Sequence, residues 1–170
     1  LALSQRGVEL AAAHALMFWV AVSKVQHGWA RARLGEPKEG AAEIGEALAM
    51  IRAIGANVVI PWYEARHAEA RMLAGELDAG LDAVREGLAF AAQSLADERT
   101  PPDLLWLRGA LLARKGDRAG AEASLREAIT HATALEAAGA RARAEAELAR
   151  LAPIEAASSI DSSPRHPPRC

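Results

Sequence analysis

The chain has 170 residues, a formal net charge of -2, and 25% charged residues. Hydrophobic residues make up 51% of it, which excludes a disordered or fibrous chain and is enough for one domain or a few stacked repeats. The absence of a basic excess argues against a nucleic-acid-binding surface, because contacts to phosphates usually require one.

The amino-acid usage also limits where the chain resides. No apolar run approaches the roughly 20 residues that a membrane span needs. The single cysteine, Cys170, leaves no internal disulfide framework, and the chain starts at Leu1 without a signal-peptide pattern. We therefore expect a cytoplasmic segment of a larger protein whose true start lies upstream.

Hydrophobic residues recur at steps of three and four, which predicts helices along most of the chain. A first helix is expected over residues 3–13, as the end of a truncated repeat. The predicted helices then form pairs within 14–54, 58–95 and 100–137, as 14–34 with 37–54, 61–74 with 77–95, and 101–115 with 118–137. A capping helix over 140–151 completes one repeat domain (1–152), and the Ser- and Pro-rich residues 153–170 are expected to be a disordered tail.

Three glycine-centred turns set the period of the array. Gly35, Gly75 and Gly116 are spaced by 40 and 41 residues. At the same distances from each glycine stand small residues, as close packing of antiparallel helices requires. These small residues are Gly28, Gly40 and Ala47 in the first unit, Ala68, Gly80 and Gly87 in the second, and Gly109, Ala121 and Ala128 in the third.

Other residues mark helix ends. Pro37 and Pro61 fall in expected first turns of helices, where a missing amide hydrogen costs little. The run Thr100-Pro101-Pro102-Asp103 is typical of an N-cap followed by proline at the first helical position. Glycine favours turns and helix C-termini, so we predict these roles for Gly55, Gly75, Gly116 and Gly139.

The spacing of small residues around a glycine turn resembles the tetratricopeptide repeat (TPR). This resemblance implies an all-α fold, a TPR-like α–α superhelix of stacked antiparallel helix pairs in a right-handed solenoid. The period is longer than the usual 34 residues of that family. The family's tyrosine is also replaced, by Arg31, Arg71 and Leu112.

A narrower resemblance covers most of the chain. The runs 27–35, 104–113 and 120–128 look like the C-terminal repeat region of bacterial adenylate/guanylate cyclase-like or LuxR/MalT-like AAA ATPase regulators. In such regulators a cyclase or DNA-binding domain and an ATPase domain precede the repeats. The resemblance implies a similar parent protein, but no cyclase or ATPase residue lies in this chain.

No motif for catalysis or cofactor binding is present, since phosphate-binding loops, H-E-x-x-H and C-x-x-C are all missing. Glu64 and His67 form a lone E-x-x-H pair, whereas a di-iron bundle needs a second pair and further carboxylates. His27 and His67 each precede their anchor glycine by eight residues, and Arg108 takes this place in the third unit. We expect a packing role for them and predict no catalytic, cofactor-binding or metal residue.

By analogy with the family, the first helix of each pair lines a concave groove. Tryptophan and arginine there are the residue types that concentrate binding energy at interfaces. The alternative is that the tryptophans fill contacts between repeats. The predicted partner-binding residues are Val22, Val25, Trp29, Arg33, Trp62, Arg66, Glu69, Leu73, Trp106 and Arg114.

The function expected from these observations is recognition of a protein or peptide, either a separate partner or the upstream domains of the same protein. Two alternatives are a sensor in which a small effector controls an upstream ATPase or cyclase, and a structural spacer for oligomerisation. Neither nucleic acid nor membrane is an expected partner. Self-association through the truncated N-terminal face is also expected.

Overall fold

The computed structural model describes residues 1–94 and 102–151. Within these ranges the chain forms eight α-helices and one short 3₁₀ turn, with no strand, which confirms the all-α prediction. The helices are α1 (Ala2–Ala13), α2 (Met17–Arg33), α3 (Pro37–Ala53), α4 (Ile60–Leu73), α5 (Leu77–Ser94), α6 (Pro102–Arg114), α7 (Arg118–Ala134) and α8 (Ala138–Leu151), and the 3₁₀ turn is Asn57–Val59.

The turns between helices repeat with a fixed interval. Each described turn contains one residue with positive φ, and these residues are 20 residues apart, or 41 where the chain passes through 95–101. Four of them are glycines that the sequence predicts as turns, and Gly35 has φ of 107°. The residues with positive φ are Ala15, Gly35, Gly55, Gly75, Gly116 and Glu136.

Two predicted helix boundaries are wrong because two turns do not use glycine. The turn at Ala15 (φ 55°) separates α1 from α2, so α2 begins at Met17 and not at residue 14. The turn at Glu136 (φ 53°) allows α8 to begin at Ala138, which places Gly139 inside this helix and not in a turn. The predictions for Leu95, for the N-cap at Thr100 and Pro101, and for the tail 153–170 fall outside the described residues.

Helix pairing follows the predicted order. The most extensive contacts join α2 to α3, α4 to α5, and α6 to α7, while α1 packs on α2 and α8 packs on α7. The even-numbered helices also contact one another in sequence, α2 to α4, α4 to α6, and α6 to α8. We call these four helices the inner row.

Small residues allow the paired helices to approach closely. A Cβ atom on Gly40 would lie 2.3 Å from the carbonyl oxygen of Gly28 on the facing helix. Around this crossing, Ile44, Leu48 and Ile51 are fully buried. The recurring glycines therefore have a packing reason that offsets their cost of about 1 kcal/mol in a helix. Among the described helices, none combines the length and apolar character needed to cross a membrane.

Candidate functional site

A groove with a volume of about 940 Å³ runs along one face of the inner row. All four inner helices contribute side chains to it, together with Leu135 from the turn before α8. Its lining residues are Gln26, Trp29, Arg33, Trp62, Tyr63, Ala65, Arg66, Glu69, Pro102, Asp103, Trp106, Leu107, Leu135 and Arg143.

Six of the ten predicted partner-binding residues line this groove: Trp29, Arg33, Trp62, Arg66, Glu69 and Trp106. Val22, Leu73 and Arg114 do not belong to its lining, and Arg114 instead donates a hydrogen bond to the carbonyl of Met72 (3.3 Å). The prediction for Val25 is wrong, because this side chain is fully buried in the core cluster against which Trp29 and Tyr63 pack.

At one end of the groove, Glu69 of α4 holds the indole of Trp29 from α2. The Trp29 Nε1–H donates to Glu69 Oε2 at 2.8 Å, and the other carboxylate oxygen accepts a hydrogen bond from Arg33 at 2.9 Å. The guanidinium of Arg66 stacks over the Trp29 ring, with Cζ 4.0 Å from the ring centroid. Both the position and the plane of this indole are therefore fixed before any ligand arrives.

The middle of the groove is formed by α4. Trp62 is 49% exposed, a large fraction for a tryptophan, so about half of its surface is free for a ligand. Tyr63 packs against the core, and burial raises the pKa of its hydroxyl. Tyr63 is therefore neutral at physiological pH, and the charge of the groove comes from its arginines and carboxylates.

At the other end, Trp106 of α6 lies beside Arg143 of α8. The Arg143 Cζ is 5.6 Å from the centroid of the Trp106 ring, and its guanidinium forms an ion pair with Asp103. Here the carboxylate does not reach the indole, and Trp106 Nε1 is a buried donor without a partner. Such an unpaired donor costs about 1–3 kcal/mol.

The sequence missed eight lining residues: Gln26, Tyr63, Ala65, Pro102, Asp103, Leu107, Leu135 and Arg143. The turn interval would have found Arg143. It follows the positive-φ residue Glu136 by seven residues, as Trp62 follows Gly55. No glycine marks the turn at 136, so only the 20-residue interval counted from Gly116, and no turn residue, indicates the inner-row register in α8.

The remaining candidates for chemistry are held by neighbouring side chains. His27 Nδ1 lies 2.9 Å from Glu43 of α3, and His67 lies 3.3 Å from Glu64 and accepts a hydrogen bond from Arg71. Glu64 is 1% exposed and pairs with Arg52, which neutralises its buried charge. The His27–Glu43 pair joins α2 to α3 and the Arg52–Glu64 pair joins α3 to α4, whereas the hydrogen-bond contacts of His67 lie within α4.

One tryptophan lies outside the groove. Trp19, near the start of α2, is 57% exposed and packs edge-on against Phe18, with ring centroids 5.3 Å apart. Because its exposure resembles that of Trp62, it offers a matched control for experiments on the groove.

Within 1–94 and 102–151, no group of three or more His, Cys, Asp or Glu side chains is placed to hold a metal ion. The site is a groove with aromatic surface, fixed arginines and paired carboxylates. Comparison of the chain with protein-family models and with curated proteins finds no match.

Proposed function

We propose that this chain is a TPR-like superhelical segment that recognises an extended stretch of another protein in the groove of the inner row. Its mechanism is binding, without covalent chemistry or a cofactor. The observation that carries the proposal is the convergence of Trp29, Trp62 and Trp106, from three successive inner helices, on one groove. Aromatic and arginine side chains dominate the energy of protein interfaces.

The dimensions of the groove favour a peptide over a small effector. Packed helices are about 8–10 Å apart, so four successive inner helices extend over roughly 24–30 Å. An extended chain covers about 3.3 Å per residue, and a segment of about eight residues matches this length. A small effector would contact only part of such a lining.

The repeat assignment is supported by the turn interval, the continuous inner row and the small residues at the helix crossings. The resemblance to the repeat regions of bacterial ATPase regulators supports a place in a larger signalling or transcription regulator. In that setting the bound segment belongs either to a separate protein or to an upstream domain of the same protein.

The test is selection of peptides from a random display library on the intact chain. The affinities of the selected peptides are then measured for the wild type, Trp62→Ala and Trp19→Ala. We expect Trp62→Ala to weaken binding at least tenfold, about 1.4 kcal/mol, and Trp19→Ala to leave it unchanged. Both variants remove an exposed tryptophan, so a general effect of losing an indole would appear in both.

Two results would overturn the proposal. Failure to select any peptide that depends on Trp62 would support a structural spacer. A saturable thermal shift with a small effector that competes for the groove, together with no peptide binding, would support the sensor.

A further inference from the structure

The charges that line the groove do not balance, and the unbalanced group is Arg66. Three arginines and two carboxylates face the groove. Arg33 pairs with Glu69, and Arg143 pairs with Asp103. Among the described residues, no carboxylate lies within ion-pair distance of Arg66. Its guanidinium instead stacks on Trp29, with Cζ 4.0 Å from the ring centroid.

The contact with the Trp29 ring holds the Arg66 guanidinium in place but leaves its hydrogen-bond donors free. Among the described side chains, Trp106 alone has a buried nitrogen or oxygen atom that lacks a hydrogen-bond partner. The unpaired N–H groups of Arg66 are therefore not buried, and they face solvent. A guanidinium presents these donors in a planar fork that fits the two oxygens of a carboxylate. Because the ring of Trp29 is itself held by Glu69, little conformational entropy remains to be lost when Arg66 binds an anion.

An apolar surface lies next to this cation. Trp62 precedes Arg66 by four residues on α4, so the two side chains are neighbours on one face of the helix. Trp62 is half exposed and offers its ring to an apolar side chain. Side chains two residues apart in an extended segment point to the same side, so a carboxylate and an apolar group at this spacing would contact Arg66 and Trp62 together.

Building on the proposed function, we infer that the groove selects a segment with an aspartate or glutamate close to an apolar or aromatic side chain. Arg66 binds the carboxylate, and Trp62 packs against the apolar group. A phosphate group fits less well, because Arg33 and Arg143 are already paired with Glu69 and Asp103, and Arg66 alone leaves the second charge of a phosphate uncompensated. The carboxylate that Arg66 binds belongs to a side chain within the segment, not to a free C-terminus.

The probe is a random octapeptide library flanked on both sides by Gly-Ser sequences, so that no free carboxyl terminus is presented. Selection on the wild type should enrich Asp and Glu at one position, and an apolar residue two positions away. Selection on Arg66→Glu should replace this acidic preference with Lys or Arg. The control is Arg85→Glu on α5, where the side chain is 75% exposed and outside the groove, and we expect it to keep the acidic preference.

The outcomes separate this inference from the proposed function. Peptides that depend on Trp62 but lack acidic enrichment would overturn the inference alone, whereas the absence of any Trp62-dependent peptide would overturn both. Acidic enrichment that appears only in a parallel library with free C-termini would contradict the assignment of the bound carboxylate to a side chain.

If circular dichroism shows that Arg66→Glu has lost helix, Arg66→Gln replaces it as the test variant. We then expect Arg66→Gln to bind the selected acidic peptide at least tenfold more weakly than the wild type does. An unchanged affinity in Arg66→Gln would contradict the inference.

Discussion

The two ends of the groove use the same three residue types in different ways. At each end an arginine stacks on a tryptophan and a carboxylate lies nearby. Glu69 binds both the Trp29 indole and Arg33, and it leaves the stacked Arg66 unpaired. Asp103 instead binds the stacked Arg143, and the Trp106 indole has no acceptor.

This difference shows that the position of the carboxylate and the number of stacked arginines together decide what each end can do. At the Trp29 end the carboxylate fixes the indole and pairs with Arg33, which also lies over the ring at 5.2 Å, so the second stacked arginine, Arg66, remains available for a ligand. At the Trp106 end, Asp103 pairs with the stacked Arg143, so the charge of this arginine is neutralised within the protein. The Trp106 N–H is left buried without an acceptor, which is destabilising. The Trp29 end is therefore built to bind an anion, while the Trp106 end contributes mainly apolar surface.

The helix crossings beneath the two ends also differ, and here the largest effect is expected. A Cβ on Gly40 would lie 2.3 Å from the backbone oxygen of Gly28, which cannot move without separating α2 from α3. A Cβ on Gly109 would first meet Cγ of the fully buried Leu125, at 2.6 Å, and the nearest backbone atom, the Ala121 oxygen, lies farther away at 3.2 Å, so a side chain and not a helix backbone must shift. We expect Gly40→Ala to lower the free energy of unfolding by about 3 kcal/mol and Gly109→Ala by about 1–2 kcal/mol, measured by urea denaturation. Equal losses would contradict this distinction between backbone and side-chain contacts.

Removal of the carboxylates comes next in magnitude. Glu69→Ala leaves the Trp29 indole and Arg33 without their acceptor, and the Glu69 side chain is only 15% exposed. We expect a loss of about 2 kcal/mol. Asp103→Ala breaks an ion pair between two side chains that are about half exposed, so less than 1 kcal/mol is expected. Thermal and urea unfolding of both variants measure the difference, and a larger loss for Asp103→Ala would reverse the comparison.

A third comparison concerns the indole N–H groups themselves. Trp29→Phe loses the hydrogen bond to Glu69, whereas Trp106→Phe removes a buried donor that has no partner. Both changes remove similar volume, so their difference reports on the N–H group. Trp29→Phe should be about 1–2 kcal/mol less stable than Trp106→Phe. Equal stabilities would indicate that Trp106 Nε1 has an acceptor, such as a bound water.

Much of the fold follows from the sequence because the repeat is regular. Gly35, Gly75 and Gly116 predict the turns, and the proline and small-residue positions predict the pairs. The errors arise where a turn has no glycine. Ala15 and Glu136 adopt positive φ although their side chains disfavour it, because packing on both flanking helices determines the turn.

The groove was less predictable than the fold. Helical spacing identifies which residues point to the inner face, but it does not give the depth of each side chain. Val25 points inward and is buried under larger neighbours, while Trp106 has the same register and lines the groove. The bridging role of Glu69 depends on Trp29, which is 40 residues away in sequence, and no local pattern indicates such a contact.

The most direct test of the groove as the binding face uses the four tryptophans of the chain. Their indole N–H signals are resolved in a ¹⁵N-correlated NMR spectrum and assigned with single Trp→Phe variants. On titration with a selected peptide, the signals of Trp29, Trp62 and Trp106 should shift together and saturate, while that of Trp19 should stay in place. A shift confined to Trp19, or saturable binding that leaves the three groove signals unchanged, would contradict the account.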